Sequence, residues 1–151
     1  MEHQVGNFEF DRVVDELQKQ IIAQEREIFS AKVIEHAHHP TNFGRIEEPD
    51  GYGTCQGECG DMMEIYLRLN GVGIEEAKFV TDGCGPSLAC GNMLSRMVEG
   101  LSLEEASRIR PEDLIVALDG LPEESEHCAA LAVSTLREAI ASGGAVVESK
   151  T

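Results

Sequence analysis

The chain has 151 residues, and its 28 acidic side chains outnumber the 12 basic ones to leave a formal net charge of −16. This length predicts one folded domain, and the 42% of hydrophobic residues is enough for its core. The acidity argues against a nucleic-acid partner and against docking on an anionic membrane, because both need clustered lysine and arginine. A protein partner with a basic face stays compatible with this charge.

The first residues of the chain and its cysteine content indicate which cellular compartment to expect. Residues 1–11 carry charges and lack a continuous apolar run, so no secretory signal is expected. No stretch nears the roughly 20 apolar residues that span a bilayer. We therefore expect a cytoplasmic protein with reduced thiols. Five cysteines would leave one over in a disulfide framework, so metal binding, sulfur transfer and core filling are their candidate roles.

A charged segment at the N-terminus has helical periodicity. Residues 9–38 place apolar side chains three and four residues apart, which predicts an amphipathic helix broken near residues 29–30. Pro40 ends it, because the residue before a proline avoids helical angles. Residues 41–58 are rich in Gly, Pro and Asp and predict a loop with at most one short strand near Tyr52.

The centre of the chain predicts a β-hairpin followed by a helix. Residues 62–69 and 76–81 alternate apolar and polar side chains, and residues 70–71 (Asn-Gly) supply a turn between them. From Pro86 the apolar spacing becomes helical, and Gly100 offers a stop.

Three further helices are expected after this point. Ser102 and Glu105 form a capping box for a short helix, and Pro111 suits the first position of the next. The last helix is predicted over about residues 124–141, ending at the glycine pair 143–144. Strands followed by helices predict an α+β domain, with a small antiparallel sheet of about three strands packed against C-terminal helices and an extra N-terminal helix.

Three cysteines fall at the ends of predicted elements. Cys59 precedes the hairpin, Cys84 lies between its second strand and a helix, and Cys128 lies near the start of the last helix. A helix N-terminus favours a thiolate, which should benefit Cys84 and Cys128. Asp61 and His127 add an oxygen and a nitrogen donor, so the set exceeds what a tetrahedral zinc site or one edge of an iron–sulfur cluster requires. No Cys-x-x-Cys pair occurs, so only folding can bring these residues together.

The remaining cysteines and a histidine cluster favour structural roles or stay open. Cys90 lies on an apolar helical stripe, which favours core packing. Cys55 is a spare ligand, a redox partner for Cys59 or an exposed loop thiol, and the sequence does not rank these. His36, His38 and His39 sit at a helix end, where histidine interacts with carbonyl groups, so a ligand role is disfavoured.

Three motifs resemble those of the IscU/NifU family of iron–sulfur cluster scaffolds in order and spacing: Cys59-Gly-Asp61, Gly83-Cys84-Gly85 and His127-Cys128. The similarity covers about residues 29–142, and it implies a SufE/NifU-like fold. It further implies that the three cysteines are cluster ligands and sulfur acceptors. His127 and Asp61 would lie in the same site, as a fourth ligand and as an aid to cluster lability or metal entry.

The resemblance implies a function as well as a site. The chain would be a scaffold rather than an enzyme, holding a transient [2Fe–2S] cluster built from Fe and from the persulfide sulfur of a cysteine desulfurase. It would then pass the cluster to acceptor apoproteins or cluster carriers. Zinc can occupy the cluster-free form. The alternative is a Zn-dependent sulfur acceptor in the manner of SufU, and a structural zinc domain is a third class.

Two segments depart from the family pattern. Residues 121–125 read Leu-Pro-Glu-Glu-Ser where many IscU proteins carry Leu-Pro-Pro-Val-Lys, which makes recognition by an Hsp70-type chaperone doubtful. Residues 1–28 form a helical extension, residues 29–142 the scaffold domain and residues 143–151 a flexible tail. The extension needs an apolar partner, so we expect it to form a homo-oligomer or to cover the site.

Overall fold

A computed structural model of the chain describes the backbone of residues 2–58 and 60–150, with the side chains of residues 9–21, 23–58 and 60–143. Cys59 therefore lies outside the described residues. The helices and strands, in chain order, are α1 (Glu2–Ile28), α2 (Ala31–His38), β1 (Gly51–Gln56), β2 (Met62–Leu69), β3 (Ile74–Thr81), α3 (Gly85–Val98), α4 (Leu103–Ser107), α5 (Pro111–Ala117) and α6 (Glu126–Lys150). The α+β class with an N-terminal helix is confirmed.

The sheet is antiparallel with strand order β1-β2-β3. At its centre, Ile65 pairs with Gly53 on one side and with Phe79 on the other. Asn70 shapes the predicted turn, since its Oδ1 accepts from the backbone amides of Val72 and Gly73 at 2.9 Å. The hairpin is confirmed with the alternation that its sequence predicts, because every second residue faces the same layer.

Strand β1 occupies part of the glycine-rich segment in which at most one short strand was expected. Its glycines lie beneath helix α6, and a Cβ placed on Gly53 would stand 2.4 Å from the Ala139 amide nitrogen and 2.5 Å from the Thr135 carbonyl oxygen. A Cβ on Gly51 would stand 2.6 Å from the Ala139 carbonyl oxygen. These glycines permit close contact between strand and helix, as glycine in a strand often does.

The core lies between the sheet and the helices α3 and α6. Burial of apolar surface at this interface stabilises the domain by about 25 cal/mol for each Å² removed from water. The fully buried side chains of largest volume come from both layers, from helix α2, and from helix α5 and its C-cap: Phe79, Met63, Ile65, Leu67, Ile74, Leu94, Leu114, Leu118, Leu136, Val33, Val98 and Val133.

Helix α6 does not end at the glycine pair 143–144, contrary to the sequence-based expectation, but continues to Lys150. A glycine costs a helix interior only about 1 kcal/mol relative to alanine, which alone does not end it. Gly143 instead packs closely on the sheet, where a Cβ would lie 3.3 Å from Leu69 Cδ1 and 3.4 Å from the Asp50 carbonyl oxygen. Its small size serves packing rather than termination.

The N-terminal helical segment is interrupted where its sequence predicts. Ser30 caps α2, and its Oγ accepts from the Val33 amide at 3.1 Å. Glu25 near the end of α1 pairs with His38 of α2 at 2.8 Å, which ties the two helices together. None of the helices among the described residues is long and apolar enough to cross a membrane.

Candidate metal and sulfur site

Three chain segments converge at one end of the sheet. The β1–β2 connection and the end of β3 share that end, because Gln56 pairs with Met62 and Met63 pairs with Thr81 in the antiparallel register. The Met62 amide also donates to Asp82 Oδ1 at 2.8 Å, which joins the β1–β2 and β3–α3 connections. The start of α6 packs against the same region through Cys128.

The β1–β2 connection is a tight turn that carries Asp61. The Gly57 amide donates to the Asp61 carbonyl at 2.7 Å, and the Gly60 amide donates to the Gly57 carbonyl at 3.0 Å. Gly60 has a φ of +88°, which glycine adopts without strain. Asp61 is half-buried at the end of this turn. Cys59 belongs to the same connection by sequence.

Cys84 lies between β3 and α3, where the sequence predicts it. It is the N-cap residue of α3 and is exposed. The Leu88 amide donates to its carbonyl oxygen at 3.1 Å, and Pro86 follows in the first turn. The helix macrodipole places partial positive charge at this position, where an electron-rich ligand is stabilised.

Ser87 joins Asp61 to Cys128, and the sequence analysis did not single it out. Its side chain is fully buried, and its Oγ lies 3.4 Å from Asp61 Oδ2 and 3.4 Å from Cys128 Sγ. A Cβ on Gly83 would stand 2.6 Å from Ser87 Oγ and 2.9 Å from Asp61 Oδ2. Glycine is thus required beside the cysteine for the hydroxyl and the carboxylate to approach each other.

The start of α6 contributes Cys128 and His127. Cys128 is buried, and its Sγ lies 3.6 Å from His127 Nε2. His127 is half-buried and also lines a cleft of about 230 Å³ with Cys55 and Glu58. A thiol, an imidazole and, through Ser87, a carboxylate therefore meet here. Both soft and harder metal-binding groups are present.

Of the residues outside this set, Cys90 lies in the core as predicted, whereas Cys55 and His36 lie in strand β1 and helix α2. Cys90 is fully buried in the core, and burial raises the pKa of its thiol well above the ordinary value, with smaller contributions from Cys128 and Cys84. Cys55 is half-buried in β1. His36 is buried with its Nδ1 2.7 Å from Asn92 Nδ2, a contact within the fold.

The described donors alone do not form one coordination sphere. Among the described side chains, those of residues 9–21, 23–58 and 60–143, no group of three or more His, Cys, Asp and Glu is arranged to hold a metal ion. That set excludes Cys59, whose neighbours Gly57, Gly60 and Asp61 form the turn beside the site.

An antiparallel sheet backed by helices, with thiol, carboxylate and imidazole groups at one end, defines an α+β domain suited to handling metal or sulfur. The chain belongs to the NifU-like N-terminal domain family, whose pattern matches residues 28–145. The resemblance drawn from its motifs is thereby confirmed.

Two curated relatives come from an archaeon and a bacterium. The iron–sulfur cluster assembly scaffold protein IscU 1 of Archaeoglobus fulgidus is 41% identical over 114 residues, which cover 75% of this chain and 74% of that protein. The scaffold protein IscU of Escherichia coli K12 is 37% identical over 118 residues, 75% of this chain and 91% of that protein. Both relatives are named scaffolds rather than enzymes.

Two solved structures support the fold. The N-terminal NifU-like protein of Brucella abortus superposes with a TM-score of 0.61 at 18% identity, covering 77% of this chain and 94% of that one. A SUF-system scaffold candidate from Fervidobacterium islandicum gives the same TM-score at 20% identity, covering 76% and 97%. At these identities the likeness extends to the fold alone.

Proposed function

We propose that this protein is a scaffold on which a transient [2Fe–2S] cluster is assembled and from which it passes to acceptor apoproteins or cluster carriers. One observation carries the proposal: Ser87 contacts both Asp61 and Cys128, and His127 contacts Cys128, at the end of the sheet that also carries Cys84. The scaffold names of its relatives support the same function. The protein would hold and release its cargo rather than turn over a small molecule.

The proposed ligands differ in softness. Cys59, Cys84 and Cys128 would bind iron as thiolates and accept sulfur, with His127 as a fourth ligand and Asp61 as an aid to lability or metal entry. Thiolates are the usual ligands of iron–sulfur clusters. Three thiolates with one harder ligand hold iron less firmly than four thiolates would, so the set suits a cluster that must leave.

Sulfur would arrive from a cysteine desulfurase as a persulfide on one of the three cysteines. Each persulfide S–S bond accepts two electrons and breaks to give a sulfide and a thiolate, so assembly needs an electron donor as well as iron. Exposed Cys84 supports docking of such donors, because persulfide exchange requires direct contact between sulfur atoms. The Hsp70-type chaperone stays a doubtful partner, since residues 121–125 depart from its motif.

Zinc-dependent sulfur transfer is the alternative function. Cys84, Cys128, His127 and Asp61 are also donors that zinc accepts, and zinc can occupy the cluster-free form. The two functions differ once the metal has bound. A scaffold forms a coloured cluster, whereas a zinc-dependent acceptor accelerates the desulfurase without one.

Anaerobic reconstitution tests the proposal. The full chain is incubated with Fe²⁺, cysteine and a cysteine desulfurase, and visible absorption, iron, sulfide and zinc are measured. We expect two irons and two sulfides per cluster, and we expect Cys59→Ala, Cys84→Ala and Cys128→Ala to weaken loading. Cys90→Ala is the matched control, because it removes a core thiol outside the site. If all three site variants load cluster as the parent does, the ligand assignment is wrong; zinc-dependent stimulation without cluster would favour the alternative.

A further inference from the structure

Helix α1 presents an apolar stripe that no other described part of the chain covers. Five large apolar side chains on this helix are each 50–67% exposed: Phe10, Val13, Leu17, Ile21 and Ile28. A contiguous exposed apolar surface of this kind marks an interaction site in a soluble protein. The family match begins only at residue 28, so the stripe lies outside the part of the chain that the comparisons explain.

The stripe has the period of a coiled coil. Val14, Ile21 and Ile28 recur every seven residues, and Phe10 and Leu17 lie three or four residues from them. Val14 is half-buried and lies next to the exposed Val13. Counting Val14, Ile21 and Ile28 as heptad position a places Phe10, Leu17 and the polar Gln24 at position d. β-branched residues at a with leucine at d favour two parallel strands. The spacing of the stripe therefore suits pairing with a second α1 helix.

Part of the stripe borders an open cleft. Between α1 and α2 lies a cavity of about 640 Å³, whose apolar walls include Ile21, Ala31 and Ile34. Glu25 and His38 tie the two helices together at one end of this cleft. Thus α1 is anchored to the domain at its C-terminal end without burying its apolar stripe.

The charges beside the stripe favour a parallel over an antiparallel arrangement of two α1 helices. In a parallel pair, Gln20 lies beside the partner's Glu25, and Val13 lies beside the partner's Gln18, so no like charges meet. An antiparallel pair centred on the same stripe would place Asp11 beside the partner's Glu25. Two such carboxylate pairs would oppose that arrangement.

We propose that α1 pairs with α1 of a second copy of this chain as a parallel two-stranded coiled coil. Each copy carries a net charge of −16, so repulsion between the two domains opposes the apolar attraction of the stripes. Salt screens that repulsion, and dimerisation strengthens as ionic strength rises. This inference concerns residues 9–28 and does not rest on the proposed cluster function.

The mass of the full chain in solution tests the pairing. The metal-free, reduced protein is expected at twice its 16.4 kDa chain mass in sedimentation equilibrium. Leu17→Glu places a charge in the seam and should return the mass to that of one chain. Ala23→Glu adds the same charge at an exposed position away from the seam and should leave the dimer intact. Circular dichroism checks that both variants stay folded.

Cross-linking tests the direction of the helices. Gln24 occupies position d, so Gln24→Cys should oxidise to a covalent dimer in a parallel pair, while Lys19→Cys on the outer face should not exceed the parent. A monomeric parent at about 100 µM would overturn the proposal. So would equal masses for the two glutamate variants, a trimer, or cross-linking of the outer-face cysteine alone. A parent that is monomeric but loads cluster would leave the proposed function untouched.

Discussion

The hydroxyl of Ser87 has one proton to donate and faces two acceptors. Asp61 Oδ2 and Cys128 Sγ both lie 3.4 Å from its oxygen. That distance is long for a hydroxyl-to-oxygen hydrogen bond, whose usual range is about 2.5–3.0 Å, but suits the larger sulfur atom. We therefore infer that the Ser87 hydroxyl donates its hydrogen bond to Cys128 Sγ rather than to Asp61.

Removing this hydroxyl should change the reduction potential of a bound cluster without preventing assembly of the cluster. A hydrogen bond to a ligating sulfur stabilises the reduced cluster. Ser87→Ala should lower the reduction potential of the loaded protein by roughly 40 mV, the one-electron equivalent of about 1 kcal/mol. The potential is measured by spectroscopic titration against redox mediators.

A second buried serine on α3 supplies the control. Ser95 is buried, and its Oγ is the buried side-chain polar atom without a hydrogen-bond partner among the described residues. Ser95→Ala removes the same group from the same helix away from the site, and it should leave the potential unchanged. Equal potentials for Ser87→Ala and the parent would refute the assignment of this hydrogen bond to Cys128.

Ser87 also shows where prediction from sequence stops at this scale. Cys84 and Cys128 stand out because thiols beside helix starts are chemically distinctive. A serine in the first turn of a helix is common, and its partners here come from residues 26 and 41 positions away. Only the tertiary fold reveals them. The core position of Cys90, by contrast, follows from its place on an apolar stripe and is confirmed.

At the scale of elements, the contact between β1 and α6 depends on glycine. Gly53→Ala would force its Cβ to within 2.4 Å of backbone on α6, so helix or strand must shift. Overpacking of this kind costs about 1–3 kcal/mol. We expect thermal unfolding several degrees lower than for the parent. Gly71→Ala is the control, because a Cβ there meets nothing within 4 Å. Equal melting temperatures for the two variants would contradict this packing.

His36 links α2 to α3 through a directional hydrogen-bond network. Asn92 Oδ1 accepts from the Asn42 amide at 2.8 Å, which leaves Asn92 Nδ2 to donate to His36 Nδ1 at 2.7 Å. This bond requires an unprotonated Nδ1. Burial lowers the pKa of His36, with a further contribution from Arg96, so the fold favours the neutral ring.

The stability of the protein should therefore fall with acidity. Since His36 has a lower pKa folded than unfolded, its protonation favours the unfolded chain as pH drops below about 6.5, and the loss grows until the folded pKa is reached. His36→Gln should flatten this part of the profile of unfolding free energy against pH. His39→Gln, at the exposed C-cap position of the same helix, is the control variant. A parent profile that is flat across that range would contradict the network.

Elements were predictable where local pattern and packing agree. The hairpin and the Ser102–Glu105 capping box follow from alternation and capping chemistry, and the structure contains both. The end of α6 was mispredicted, because glycine is both a helix stop and a packing residue, and sequence alone does not separate the two. Gly143 lies against Leu69 and Gly51, so its role here is packing on the sheet.

At the scale of the whole molecule, the acidic charge and the arrangement of the domain fit a carrier that meets other proteins. The site lies at one end of the sheet with Cys84 exposed, while the apolar stripe of α1 lies on a separate helix. The proposed docking of a sulfur donor and the proposed pairing of α1 would therefore use different surfaces. The net charge alone is enough to disfavour nucleic acid as a partner. The family is predictable only from motifs that are spread over most of the chain.

Transfer of a preassembled cluster tests the scaffold function most directly. The loaded chain is purified, mixed anaerobically with an apoferredoxin that accepts a [2Fe–2S] cluster, and separated again. We predict that iron and sulfide move together to the acceptor and that the emptied chain can be reloaded by the desulfurase. A cluster that stays on the chain while the acceptor remains empty would contradict a scaffold role.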